Sequence, residues 1–261
     1  MPDNLDSLYA LLDEVSERQR QDFGNIMSDI KDDGTLVTDC DRWSDQALAE
    51  GLKKLYPEDG ILSEEGEQEV PNTECYWVVD PLDGTTNFAA GIPYWAISIA
   101  RFKKGRPILA VLDIPPLRQR IVAIKGEGVW RNDKILQGPS VFTDSVYCTS
   151  LCSRSIAALQ KIPTDKFPGT IRSLGVASLN LVSVGMGQTV AALEATPKIW
   201  DLGAAWLVLM ELECPLRWLG KDPATQLPGT NLEGADFPVL VAANESLIET
   251  FLPWGNEVVG Q

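Results

Sequence analysis

Leu5, Leu8, Leu12 and Val15 recur at the spacing of one helix face. The pattern runs on to Phe23 and Ile26, which predicts a long amphipathic first helix. Lys31-Asp32-Asp33-Gly34-Thr35 then predicts an Asp-Gly turn between short extended pieces. A second helix is expected over 41–56, with Trp43, Ala47, Leu48, Leu52 and Leu55 turned inward and Pro57 to Gly60 ending it. From there the period becomes that of strands. Apolar runs at 76–79, 95–101, 107–114 and 120–124 are separated by turn formers such as Lys104-Gly105 and Pro115-Pro116, as in an antiparallel meander that continues through 126–133. Beyond Gly138-Pro139-Ser140 the texture changes. Strands at 146–148, 189–193 and 239–243 alternate with helices at 174–186, 200–212 and 246–251, which predicts a seam between an α+β half, 1–140, and an α/β half, 141–261.

Composition narrows the options. Hydrophobic residues make up 44% of the 261 positions and charged residues 23%, values that favour a buried core over disorder. No run reaches the roughly 18–20 apolar residues of a membrane span. The start, Met1 to Asp6, is acidic and polar, unlike a secretory signal. Five cysteines, an odd number, mostly in apolar surroundings, suggest a reduced cytoplasmic protein, and the pair Cys148 and Cys152 lacks any further ligand for zinc. A net charge of −15 disfavours a nucleic-acid partner but leaves open a small phosphorylated substrate, because a divalent cation can reverse the local field. The chain contains no histidine. That excludes Ser-His-Asp and Cys-His catalysis and leaves proton transfer to carboxylates, hydroxyls, lysines or bound water.

The densest chemistry lies in Asp80-Pro81-Leu82-Asp83-Gly84-Thr85-Thr86-Asn87-Phe88, directly after the apolar run at 76–79. The run reads as a buried strand, and Pro81 and Gly84 as an abrupt turn at its end. Two acids three positions apart at a strand end can converge on one point, and carboxylate oxygens suit Mg²⁺ or Ca²⁺. Two further acidic sites stand apart from it. Glu64 and Glu65 lie in a loop, where a solvated charge run is the plain alternative, and Asp201 opens a predicted helix, where a first-turn acid is expected on electrostatic grounds alone.

Together these segments resemble the inositol monophosphatase family. The run from Trp77 to Phe88 is similar to its main motif. Glu64-Glu65-Gly66 and Trp200-Asp201-Leu202-Gly203-Ala204-Ala205 match two others in the same order, and Lys31 to Asp41 is similar to its Asp-Gly-x-Leu-Val-Thr-x-x-Asp region. The resemblance covers essentially the whole chain. It implies a layered α-β-α-β-α fold and Mg²⁺-dependent hydrolysis of a small phosphate monoester by direct attack of a metal-activated water, with two to three Mg²⁺ per subunit. By the same resemblance Glu64, Asp80 and the carbonyl of Leu82 hold one ion, and Asp80, Asp83 and Asp201 a second. Glu64 also holds a third. Thr85, paired with Asp41, helps activate the water, with Glu64 as a further catalytic acid. Gly84, Thr85 and Thr86 face the phosphate. Glu194 touches the substrate's hydroxyls, Asp201 also binds substrate, and Lys31, Glu65 and Lys198 are further candidates. Li⁺ inhibition and a homodimer are implied as well.

The segment Met210-Glu211-Leu212-Glu213-Cys214-Pro215-Leu216 departs from the Glu-Ala-Gly-Gly that usually follows the last motif. An inositol phosphate is the substrate expected first, with fructose 1,6-bisphosphate, histidinol phosphate, 3′-phosphoadenosine 5′-phosphate and NADP(H) as the alternatives. A catalytically silent regulatory protein on the same fold is the alternative of a different class. The eight tryptophans are scattered through apolar runs and read as packing, with Trp206 and Leu207 to Leu209 anchoring the helix of Asp201.

Overall fold

The computed structural model describes residues 5–24, 28–30, 36–139, 148–156 and 167–259. Among them are α1 (Leu5–Asp22), β1 (Ser28–Ile30), β2 (Leu36–Thr38), α2 (Asp39–Leu55), β3 (Gly60–Ser63), β4 (Cys75–Asp83), α3 (Thr85–Ala89), β5 (Ala96–Lys103), β6 (Arg106–Ile114), β7 (Gln119–Ile124), β8 (Gly128–Arg131) and β9 (Lys134–Leu136). There follow β10 (Cys148–Leu151), β11 (Thr170–Arg172), α4 (Ala177–Gly185), β12 (Ala191–Glu194), α5 (Ile199–Glu211), β13 (Leu216–Trp218), β14 (Val239–Ala242) and α6 (Glu245–Val259).

Beside the small β1–β2 pair, two larger sheets alternate with three helical layers, the α-β-α-β-α arrangement that the motifs implied. The larger sheet has the order β3-β4-β5-β6-β7-β8-β9, antiparallel except for the β3–β4 pair. The smaller has the order β11-β10-β12-β14-β13, parallel on one side of β12 and antiparallel on the other. Both faces of β4 are covered, which is why it reads as a continuous apolar run. Trp77 and Val79 pack under α1 and α2 with Leu8, Leu12 and Leu48. Tyr76 and Val78 face the other way, into a core shared with α4, α5 and the smaller sheet. A third cluster seats α6 on that sheet through Ile248, Phe251, Trp254 and Val258.

Several expectations need correction. The first helix stops at Asp22, Phe23 stands in the turn after it, and Ile26 lies outside the described residues. The second begins at Asp39, because Thr38 caps it through an N–H and hydroxyl exchange with Asp41. Helix α4 starts at Ala177, not Leu174. The last helix does not end at Phe251 but runs through Pro253 to Val259, since the apolar face of Trp254 and Val258 continues past the lost N–H. The strand expected at 146–148 begins at Cys148, with Val146 and Tyr147 outside the described residues. Strands β11 and β13, three residues each, carried no readable period. The expected seam falls beside residues 140–147, also outside the described part.

Candidate active site

The turn expected at Pro81 is instead a slip inside a strand. Strand β4 continues to Asp83, and its register against β5 shifts between the Asp80–Ser98 and Asp83–Ala96 pairs. Proline has no N–H to place in a ladder, and an irregularity of this kind is where it is tolerated. The Leu82 N–H turns back to Oδ1 of Asp80 at 3.0 Å. The slip is held from behind by Gln19, fully buried on α1, whose amide donates to the Pro81 carbonyl at 2.8 Å and to Ser44 Oγ at 3.1 Å while accepting the Trp95 indole N–H at 2.9 Å. The chain then leaves through Gly84, at φ +104°, where a Cβ would lie 2.9 Å from Val176 Cγ2. Only glycine suits both the backbone and the space.

Carboxylate oxygens of Asp80, Asp83 and Asp201 lie within 4.8 Å of one another. Asp80 and Asp83 are buried, and Asp201 is half-buried at the cleft. Asp83 is gripped by the first turn of α4, its oxygens accepting the N–H groups of Ala177 at 3.1 Å and Ser178 at 2.7 Å. Asp201 sits in the first turn of α5 and accepts the Lys198 N–H at 2.6 Å. Burial holds all three acids above the ordinary carboxylate range. The neighbouring acids, Glu64 among them, push Asp80 and Asp201 well above it. Thr85 adjoins this group, its hydroxyl 2.7 Å from Oδ1 of Asp41 and 3.1 Å from the Leu82 carbonyl.

These groups open onto a cleft of about 480 Å³ whose described lining includes Glu64, Asp80, Asp83, Glu194 and Asp201 but, as cation, Arg154. Five acids facing one guanidinium make a site that fits a divalent cation, since an ion would relieve the burial cost that Asp80, Asp83 and Asp201 now carry. A larger cavity, about 680 Å³, lies between α1 and β6 to β8. Its Asp113 and Arg120 already pair at 2.7 Å, and among the described residues its acids do not converge as Asp80, Asp83 and Asp201 do.

The cleft brings together Glu64, Asp80, Leu82, Asp83, Gly84, Thr85, Thr86, Glu194 and Asp201, with Asp41 buried behind Thr85. Glu65 does not line it. Lys198 turns its ammonium away, to Asp236 at 3.0 Å and the Glu233 carbonyl at 3.2 Å. Lys31 lies outside the described residues. Glu194 is not a solvated strand-end acid. It is 3% exposed, bonded to Asn180, and pushed up to about 8 by burial. Sequence reasoning missed Gln19, Asn180 and Arg154. The first two carried a faint signal, each being an amide at a core position of an apolar helical face.

A family model described as the inositol monophosphatase family matches residues 3–237. The chain belongs to the inositol monophosphatase family. Relatives within it differ in what they are named for. An inositol-1-monophosphatase of Rhizobium meliloti is 33% identical over 73% of this chain and 76% of its own length. A histidinol-phosphatase of Mycobacterium tuberculosis is 32% identical over 80% and 85%. A Nus factor SuhB of Pasteurella multocida is 32% identical over 72% and 73%. The fold is also that of a Thermotoga maritima IMPase, with a TM-score of 0.81 at 24% identity over 99% of this chain and 98% of that one. Membership in this family indicates a phosphatase and a dependence on divalent metal.

Proposed function

We propose that the protein is a Mg²⁺-dependent phosphate monoester hydrolase whose preferred substrate is an inositol monophosphate. The observation that carries this reading is the convergence of Asp80, Asp83 and Asp201 within 4.8 Å beside the hydrogen-bonded pair Thr85–Asp41. Glu64, Asp80, Asp83, Asp201 and the Leu82 carbonyl would hold two to three Mg²⁺ ions. Bound there, the ions would supply the positive charge and Lewis acidity that a phosphate dianion and a departing alkoxide require.

The chain's own groups do the rest. Asp41 takes the Thr85 hydroxyl proton as a hydrogen bond, so the Thr85 oxygen is left as an acceptor that can orient the attacking water. Gly84, Thr85 and Thr86 would face the phosphate with N–H and hydroxyl donors. Glu194 and Asp201 would meet the hydroxyls of the organic group. Inhibition by Li⁺, assembly as a homodimer and a reducing cytoplasmic setting belong to the same proposal. Of the membrane, it can be said that no described helix is long and apolar enough to cross one.

Phosphate release from inositol 1-phosphate, with Mg²⁺ and with chelator, tests the reading against the variants Asp83→Asn and Asp201→Asn. Activity that survives both substitutions would sink the metal assignment. A panel containing histidinol phosphate, fructose 1,6-bisphosphate, 3′-phosphoadenosine 5′-phosphate and NADP(H) ranks the substrates. The relative named Nus factor SuhB favours a second reading, a regulatory protein on this fold. Tight Mg²⁺ binding without hydrolysis of any ester in the panel would select it.

A further inference from the structure

Asn180 is 1% exposed, lies in the fourth position of α4 and lines the cleft. Its Nδ2 donates to Oε1 of Glu194 at 2.8 Å, whereas its Oδ1 has no partner among the described residues. A buried amide with half its capacity unused weakens the fold compared with an apolar residue of similar size. The neighbours Leu179, Leu181 and Val182 show what the core at this helix otherwise favours. Core packing does not account for Asn180. Its bond to Glu194 does.

The position of that bond is informative. The first turn of α4 grips Asp83, which comes from the larger sheet, through Ala177 and Ser178. Two residues further on, the same helix grips Glu194, which ends β12 of the smaller sheet. One short stretch of helix therefore holds both a member of the acid cluster and the Glu194 carboxyl of the same cleft. An amide is the side chain suited to this, because its N–H holds a carboxylate and, flipped, its carbonyl accepts from the acid form.

We propose that Asn180 is a positioning residue, fixing the Glu194 carboxyl against a hydroxyl-bearing organic group and so setting the discrimination between phosphate esters without touching the phosphate. The proposal rests on the reading of the cleft as a phosphate monoester hydrolase site.

The test compares the intact protein with Asn180→Ala, Asn180→Asp, Glu194→Gln and the double variant Asn180→Ala/Glu194→Gln, using Mg²⁺ with inositol 1-phosphate and with 4-nitrophenyl phosphate, which offers no hydroxyls. Loss of Asn180 is expected to raise KM for inositol 1-phosphate about five- to tenfold while kcat stays within about twofold. The KM shift for 4-nitrophenyl phosphate should be several times smaller. In the Glu194→Gln background the Asn180→Ala change should add less than about twofold, as expected of residues acting as a unit. Asn180→Asp retains the volume but loses the donor, and it carries the test if the alanine variant melts too low to assay. An equal KM rise for both esters, a loss confined to kcat, or full additivity with Glu194→Gln would overturn the role of Asn180. A wild-type protein inactive on every ester would instead overturn the hydrolase reading beneath it, and the role of Asn180 with it.

Discussion

The Thr85 hydroxyl donates to Oδ1 of Asp41 at 2.7 Å across forty-four positions of the chain, while Oδ2 of the same carboxylate takes the Thr38 N–H at 2.9 Å. One side chain thus closes the N-terminus of α2 and holds a hydroxyl at the acid cluster. Both oxygens are committed, so neither the helix end nor Thr85 can shift alone.

Thr85→Ala and Asp41→Asn are each expected to lower kcat by about 10²–10³ with KM for the phosphate ester changed far less, in the range that a positioned proton-transfer group contributes. Thr85→Ser should keep most of the rate. Asp41→Ala should additionally cost about 1 kcal/mol of stability through the lost cap, read by thermal denaturation. Equal kcat in Thr85→Ala and wild type would remove Thr85 from the chemistry.

Metal-free protein should lose stability as the pH rises. Burial holds Asp80, Asp83 and Asp201 above the ordinary carboxylate range, neighbouring acids push Asp80 and Asp201 further, and Glu194 moves from 4.5 to about 8 mainly by burial. The folded state therefore binds these protons more tightly than the unfolded chain. Its stability is greatest when they are protonated and falls as pH rises from the ordinary carboxylate range through the folded-state values, for Glu194 through about 8. Melting curves in chelator at pH 5.5 and 8.5 should show the drop. Mg²⁺ at a hundred times its dissociation constant should restore about 2.7 kcal/mol. A metal-free melting temperature that rises over that interval would contradict the assignment.

Asp201→Asn should separate stability from function. It removes one of the mutually repelling acids, so the metal-free protein is expected to melt higher at pH 8 than wild type, while Mg²⁺-dependent turnover falls by at least about a hundredfold. Calorimetric melts with and without Mg²⁺, beside a phosphate-release assay, check both halves.

Gln19→Ala tests the support behind the strand. Its three partners, the Trp95 indole, the Pro81 carbonyl and the Ser44 hydroxyl, are left in a buried site. The expected loss is on the order of 2–4 kcal/mol, with weaker Mg²⁺ binding because Asp80 and Asp83 flank the freed carbonyl. Denaturant titration and Mg²⁺ titration by calorimetry measure the two effects.

What the sequence made legible follows from the range of each signal. Helix α2 and strands β5 to β7 repeat an apolar period over six or more residues, and their positions were readable from it. So were Asp80 and Asp83, because turn formers, acids and hydroxyls crowd one short segment. The slip through Pro81 was not readable, since a proline after an apolar run announces a turn unless the strand beyond it is already paired with Ser98 and Ala96. Gln19 and Asn180 carried only a faint signal for another reason. Each is a single amide whose meaning lies in partners that the fold brings from other segments, Pro81 and Trp95 for one and Glu194 for the other. Lys198 was a candidate through the family resemblance alone, and its ammonium pairs with Asp236.

The grip of α4 on Asp83 also dates the site during synthesis. Asp83 leaves the ribosome 94 residues before Ala177, the first N–H that holds it. At the usual 5–20 residues per second this is an interval of about 5–20 s. Strand β4 can meet its neighbours in that time, but its second acid waits for a helix that does not yet exist. The acid cluster thus cannot form until α4 and α5 have been made, and a nascent chain stalled before Ala177 carries the principal motif without a formed site.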